Sequence, residues 1–116
     1  MTDVPSKEIL DQEAGRLLSD IRARSAPLKP KERMAIPAQP MPVQDPVLRR
    51  NNIQEVALGY SAQQAQLEAM RCLQCKNAPC VQGCPVRIDI PAFVRVIAEG
   101  NFQQAIDIIK RNSLLP

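Results

Sequence analysis

Four cysteines are the residues of this chain whose type and spacing could do chemistry, and all fall between Cys72 and Cys84. The run reads Cys72-Leu-Gln-Cys75-Lys-Asn-Ala-Pro-Cys80-Val-Gln-Gly-Cys84-Pro85, that is C-x2-C-x4-C-x3-C-P. Thiolates are soft metal ligands, and several of them in one loop can curl around a single centre. Gly83 is expected to relax the backbone of that loop, and Pro79 and Pro85 to stiffen it. The rest of the inventory removes other chemistry. There is no histidine, so Ser–His or Cys–His nucleophile pairs, a His-held haem and histidine-containing zinc fingers are excluded. The glycines Gly15, Gly59, Gly83 and Gly100 stand alone, so neither a phosphate-cradling loop nor a dinucleotide fingerprint is present.

Several assignments compete for the four thiols. Disulfides need an oxidising compartment, and Met1-Thr2-Asp3 opens nothing that looks like a secretion signal. Structural zinc usually uses two C-x2-C pairs separated by about 15–20 residues. Here four residues separate Cys75 from Cys80, so zinc is the second reading. A thioredoxin-like pair at Cys72 and Cys75 lacks its βαβ setting. The closely related C-x2-C-x2-C-x3-C-P run of bacterial ferredoxins holds one cubane cluster with three cysteines and reaches a second cluster with the fourth. Iron–sulfur ligation is the reading this spacing favours. One cluster on all four thiolates stays open, although Pro85 and the ferredoxin pattern disfavour it.

At 116 residues and 12.9 kDa the chain suits one small domain. Apolar residues make up 45 %, yet Tyr60, Phe93 and Phe102 are the only aromatics, so the core should be thin and aliphatic. A net charge of +3 spread along the chain does not suggest nucleic-acid binding. No apolar run approaches the ~20 residues that cross a bilayer, so no membrane is expected as partner.

The elements that must position the cysteines are helical. Residues 6–23 place Leu10, Ala14, Leu17, Leu18 and Ile21 on one stripe, with Asp3 or Ser6 as cap. This N-terminal amphipathic segment, 1–24, should dock on its own domain or on another chain. Six of the eleven prolines lie between Pro27 and Pro46, so 25–45 reads as an extended linker or strap. Asp45-Pro46 suits a helix start, and Ile53–Leu58 reads as a further short turn ended by Gly59. Ser61-x-x-Gln64 is a capping box for a helix to about Arg71, with Ala62, Ala65 and Ala69 on one face. Ile90, Phe93, Val94, Ile97 and Ala98 form one helical stripe, and Phe102, Ala105, Ile106 and Ile109 another. Gly100-Asn101 should join them as a tight hairpin. No alternating run argues for a sheet. The expected class is all-α, a small helical domain over 46–116 with the cysteines in a loop between helices.

With these motifs in hand, the chain from about Lys31 onward resembles the N-terminal iron–sulfur domain of the small (β) subunit of NADPH-dependent glutamate synthase and its homotetrameric relatives. The resemblance runs through Met41-Pro-Val-Gln-Asp-Pro46, Glu55-Val-Ala-Leu-Gly-Tyr60, Arg71-Cys-Leu-Gln-Cys75, Cys80-Val-Gln-Gly-Cys-Pro85, Ile88-Asp-Ile-Pro91, Ile97-Ala-Glu-Gly100 and Asn112-Ser-Leu-Leu-Pro116. It is similar also to the front of dihydropyrimidine dehydrogenase and of ferredoxin:NADP oxidoreductase subunits. The resemblance implies an alpha-helical ferredoxin-like fold in which Cys72, Cys75 and Cys80 ligate one [4Fe–4S] cluster, whose fourth ligand lies beyond Pro116. Cys84 would then ligate a second cluster. It implies further cysteines and domains for FAD and NAD(P)H beyond Pro116, so the chain is expected to be a piece of a longer cytoplasmic oxidoreductase with no catalytic residue of its own. Electrons would pass from NADPH and FAD through the clusters to a partner, the glutamate synthase large subunit or an equivalent acceptor. An incomplete ligand set leads to the expectation of a metal-free loop at 72–86, mobile between ordered helices. Lys76 and Asn77 would tune the cluster, although Lys76 and Arg71 read more readily as solvated charges.

Overall fold

The computed structural model describes residues 5–24 and 27–115. Ser6 opens the first helix, its hydroxyl accepting from the Ile9 amide at 3.3 Å. Asp3, the alternative cap, lies outside the described residues, as does Pro116. The helices in chain order are α1 (Lys7–Arg22), α2 (Pro30–Ala35), α3 (Ala62–Met70), α4 (Pro79–Gly83), α5 (Ile90–Ala98) and α6 (Phe102–Lys110), with a 3-10 turn at Leu48–Asn51. The class is all-α. Among the described residues the β pairing is one isolated antiparallel bridge, Val43 to Ala57, and no helix is long and apolar enough to cross a membrane.

Helix α3 is the centre of the arrangement, with α1 packed on it from one side and α5 from the other. The stripe read on α1 buries Leu10, Ala14 and Leu18, while Leu17 stays exposed. The first core cluster joins three elements: Ala14 of α1, Ile36 just after α2, and Leu67 of α3. Docking on its own chain is therefore what α1 does. The second cluster, Val96, Ala105 and Ile108, lies within the α5–α6 hairpin. Of the stripe expected inside, Phe102 is exposed and Ile106 and Ile109 are half-buried, while Ala105 and Ile108 are the residues of α6 that pack on α5.

The proline-rich stretch is not uniformly extended. Pro30 sits in the first turn of α2, where its missing amide hydrogen costs no helical bond. Beyond Ile36 the chain runs as a strap over α3, and Pro42 is fully buried. Proline has no N–H, so such a strap is held largely through its carbonyls. Tyr60 donates its hydroxyl to the Gln39 carbonyl at 2.8 Å, and the Gln64 amide donates to the Pro40 carbonyl at 3.1 Å. Gln64 is fully buried, and its oxygen accepts from the Ser61 amide at 3.2 Å. The same side chain thus caps α3 and holds the strap.

Residues 53–58 are a correction. They do not form a helical turn but lie extended beside the strap. Gln44 donates to the Val56 carbonyl at 2.9 Å and Leu58 to the Pro42 carbonyl at 2.7 Å. At Asp45-Pro46 the helix start is real but short. The Asp45 carboxylate accepts from Val47 and Leu48 amides, and only the 3-10 turn follows.

The hairpin turn forms as read. Gly100 adopts φ +88°, its amide bonds the Ile97 carbonyl, and Asn101 bonds the Val96 carbonyl, which is a Schellman ending. Asn101 then caps α6, its side chain accepting from the Gln104 amide at 3.0 Å. A Cβ at Gly100 would also meet the Gln66 side chain at 3.0 Å. Gly100→Ala is expected to cost about 1–2 kcal/mol in urea unfolding, mostly from the left-handed backbone.

These elements lie side by side rather than around one core. The surface is 8431 Å², against about 6,300 Å² for a monomer of this mass. The radius of gyration is 16.2 Å, against about 13 Å.

Candidate metal centre

Helix α3 delivers the chain to the cysteines. Its capping box is complete, with Ser61 and Gln64 each satisfying the other's backbone. Its last turn closes with the Cys72 amide on the Ala69 carbonyl at 3.2 Å. Cys72 is half-buried at the rim of a groove of about 520 Å³ between α3 and α5, bounded by Tyr60, Ala65, Ala69, Val94 and Ile97. Of the alanines expected on one face, Ala65 and Ala69 line this groove on the side of α3 toward α5, and Ala62 faces solvent.

Between the cysteines the backbone reverses. Gln74 takes φ +53° between Cys72 and Cys75, and Ala78 takes φ +23° between Cys75 and Cys80. Arg87 takes φ +53° just after Cys84. Side chains rarely adopt such angles, and clusters of them mark sites where the fold enforces a shape. Gly83, by contrast, is not left-handed, and a Cβ there would meet nothing. The expectation that Gly83 supplies the loop's freedom is therefore corrected. Pro79, expected to stiffen a loop, instead opens α4 within its first turn. Loop 72–86 thus contains a turn of helix of its own.

Cys75 and Cys80 are exposed, and Cys84, the residue that ends α4, is half-buried. All four thiols are free. Gln74 donates its side-chain amide to the Cys72 sulfur at 3.5 Å. Around Cys84 the backbone amides of Ile88, Val86 and Arg87 turn toward the sulfur. They hold its thiol below the ordinary value, outweighing partial burial, which pushes it up. Successive amides aimed at one atom make an anion-binding nest.

A depressed thiol favours the thiolate in the folded chain. Its stabilising contribution is present above the ordinary thiol value and is lost as pH falls through the folded one. Alkylation of Cys84, followed by mass spectrometry against pH, should reach half its maximal rate at a lower pH in the native chain than in denaturant. Coincident profiles would contradict the nest.

The structure does not bring the cysteines together. Among the described residues, no three Cys, Asp or Glu side chains stand close enough to hold a metal ion. Thiols gain nothing from converging by themselves, and in cysteine-rich segments the metal supplies the folding energy. The donor set nevertheless fits an iron–sulfur cluster. It consists of four reduced, accessible sulfurs separated by enforced turns, with backbone and side-chain amides already directed at two of them.

Sequence reasoning misses the residues that brace this loop. Arg33, in the proline-rich stretch, bonds carbonyls at the end of α3, at Met70 and Cys72. Asn112, after α6, donates to the Val86 carbonyl at 3.2 Å. Both contacts span too many residues for any local pattern to signal them. Arg71, read as a solvated charge, pairs with Glu68, whose carboxylate also accepts from the Gln39 amide at 2.9 Å. Lys76 is exposed.

Residues 49–116, more than half of the chain, match the family described as dihydropyrimidine dehydrogenase domain II, 4Fe-4S cluster. The chain is similar to the NAD-dependent dihydropyrimidine dehydrogenase subunit PreT homolog of Salmonella typhi, with 39 % identity over 67 residues, 58 % of this chain and 16 % of the relative. PreT of Escherichia coli (strain K12) is 37 % identical over 67 residues, with the same shares. The glutamate synthase [NADPH] small chain of Halomonas elongata is 35 % identical over 68 residues, 59 % of this chain and 14 % of the relative. The matched stretch is thus a small part of each relative's length. With its cysteine run inside the matched residues, the chain belongs to this family of 4Fe-4S cluster domains.

Proposed function

We propose that this chain is the electron-transfer part of an NAD(P)H-dependent, flavin-containing oxidoreductase. In this reading Cys72, Cys75 and Cys80 hold one [4Fe–4S] cluster, completed by a ligand outside the run, and Cys84 is one ligand of a second. The observation that supports it is the set of four free thiols at C-x2-C-x4-C-x3-C-P within the residues that match the family. A bound cluster supplies a one-electron store and changes no bond of the substrate. The chain's residues act on that store: Cys72 enters from the end of α3, Gln74 donates to its sulfur, and the amide nest stabilises the Cys84 thiolate. No side chain here needs to be catalytic. FAD and NADPH would bind elsewhere in the whole protein.

The acceptor favoured by the quoted motifs is a glutamate synthase large subunit or its equivalent. The similarity to PreT proteins supports a second reading, the same module serving pyrimidine reduction. Either role needs a docked neighbour, which the surplus surface supports. A cytoplasmic setting is supported by four unpaired thiols.

Anaerobic reconstitution with iron, sulfide and an added thiol in place of the ligand outside the run tests the shared claim: a broad visible absorption that bleaches with dithionite is expected. A featureless spectrum with partner binding retained would leave a subunit-docking module instead. In the whole enzyme, NAD(P)H oxidation dependent on 2-oxoglutarate and glutamine, rather than on a pyrimidine, would separate the two acceptors.

A further inference from the structure

We infer that Arg33 is a positioning residue for the ligand Cys72, acting from a helix that lies outside the stretch matching the family. The inference rests on the proposed function for Cys72's role as a ligand, but its contact is independent of it. A helix leaves its last carbonyls without partners, and the negative end of its dipole collects there. In α3 the Ala69 and Glu68 carbonyls are taken by the amides of Cys72 and Arg71, whereas the Met70 carbonyl has no such helical partner. Arg33 fills that place. One guanidinium nitrogen donates to the Met70 carbonyl at 2.9 Å and to the Cys72 carbonyl at 3.1 Å.

The arm that carries Arg33 is itself fixed. Ile36, three residues on, is buried in the cluster with Ala14 and Leu67. Glu32, one residue before, pairs with Arg24, just past the end of α1. The guanidinium therefore reaches the loop from an anchored helix. It ties the first cysteine of the run to the cluster of Ala14, Ile36 and Leu67 at the point where α3 gives way to the loop. Its positive charge also sits on the ligand residue itself, where it favours the more negatively charged state of a bound cluster. A lysine could keep the charge but not the planar geometry.

Arg33→Gln and Arg33→Lys separate these contributions in the 116-residue chain. Hydrogen exchange of the metal-free chain should be several-fold faster at residues 70–75 in Arg33→Gln and unchanged in α6, which reports that the fold is intact. After anaerobic loading with iron and sulfide, the reduction midpoint of Arg33→Gln should be more negative than wild type, with Arg33→Lys lying between. Unchanged exchange at 70–75 would overturn the inference, and so would faster exchange with an unchanged midpoint. If the wild-type chain takes up no iron and sulfide even with an added thiol standing in for the ligand outside the run, the electron-transfer reading fails, while the exchange result still decides whether Arg33 holds the loop.

Discussion

Cys72→Ser, Cys75→Ser and Cys80→Ser should each abolish the visible absorption of the reconstituted protein, whereas Cys84→Ser should retain most of it. A serine hydroxyl is a hard donor that stays protonated near neutral pH and replaces a thiolate poorly on iron. Losing a group that merely orients a ligand costs roughly 10–100-fold in metal affinity, and losing the ligand itself costs more. The contrast with Cys84 is the informative part. If one cluster sat on all four thiolates, the four substitutions would behave alike. Retention in Cys84→Ser alone is what a two-cluster arrangement requires. The absorption spectrum and the iron-to-protein ratio of each variant read this directly.

Leu67→Ala should be the most damaging single change to the fold. Leu67 is fully buried on α3 and touches the two elements that fix the start of the loop, α1 through Ala14 and the strap through Ile36. Truncating such a side chain costs about 2–5 kcal/mol, from lost burial and the cavity left behind. Against a typical total of about 5–15 kcal/mol that is a large fraction, and the melting temperature should fall by on the order of 10 °C. Ile53→Ala is the matched control. Ile53 is wholly exposed, at 104 %, and its truncation should change stability by no more than about 0.5 kcal/mol. Urea unfolding of the two variants side by side tests the assignment of the core; equal losses would contradict it.

Local signals carried much of this fold. The capping box at Ser61-x-x-Gln64, the stripe of Leu10, Ala14 and Leu18, and the Gly100-Asn101 junction depend on residues three or four apart, and all three appear in the structure. What could not be read depends on partners far along the chain. A stretch dense in proline argues against helix on average, yet α2 forms because Pro30 falls in a first turn and Ile36 has Leu67 to pack on. Ile53–Leu58 has the composition of a short turn, but the carbonyl and amide groups of the neighbouring strap decide its conformation. On α6, periodicity marks Ile106 and Ile109, whereas packing against Val96 of α5 selects Ala105 and Ile108.

The site divides in the same way. The type, number and spacing of the cysteines are sequence properties, as is their place directly after α3. The left-handed residues are not, since Gln74, Ala78 and Arg87 are ordinary side chains and glycine is the usual marker of such backbone. Arg33 is the clearest case, thirty-nine residues from the carbonyl it holds at Cys72. The sulfurs' separation was likewise illegible, because spacing states what a loop can wrap and not where its thiols rest before a metal gathers them.

Electron paramagnetic resonance of the anaerobically reconstituted, dithionite-reduced protein, with iron and labile sulfide measured on the same sample, tests the central claim most directly. The expected result is the spectrum of a reduced [4Fe–4S] cluster with iron and sulfide in equal amounts, both lost in Cys72→Ser. A silent spectrum, with no sulfide bound or with zinc held in place of iron, would contradict an electron-transfer role for these cysteines.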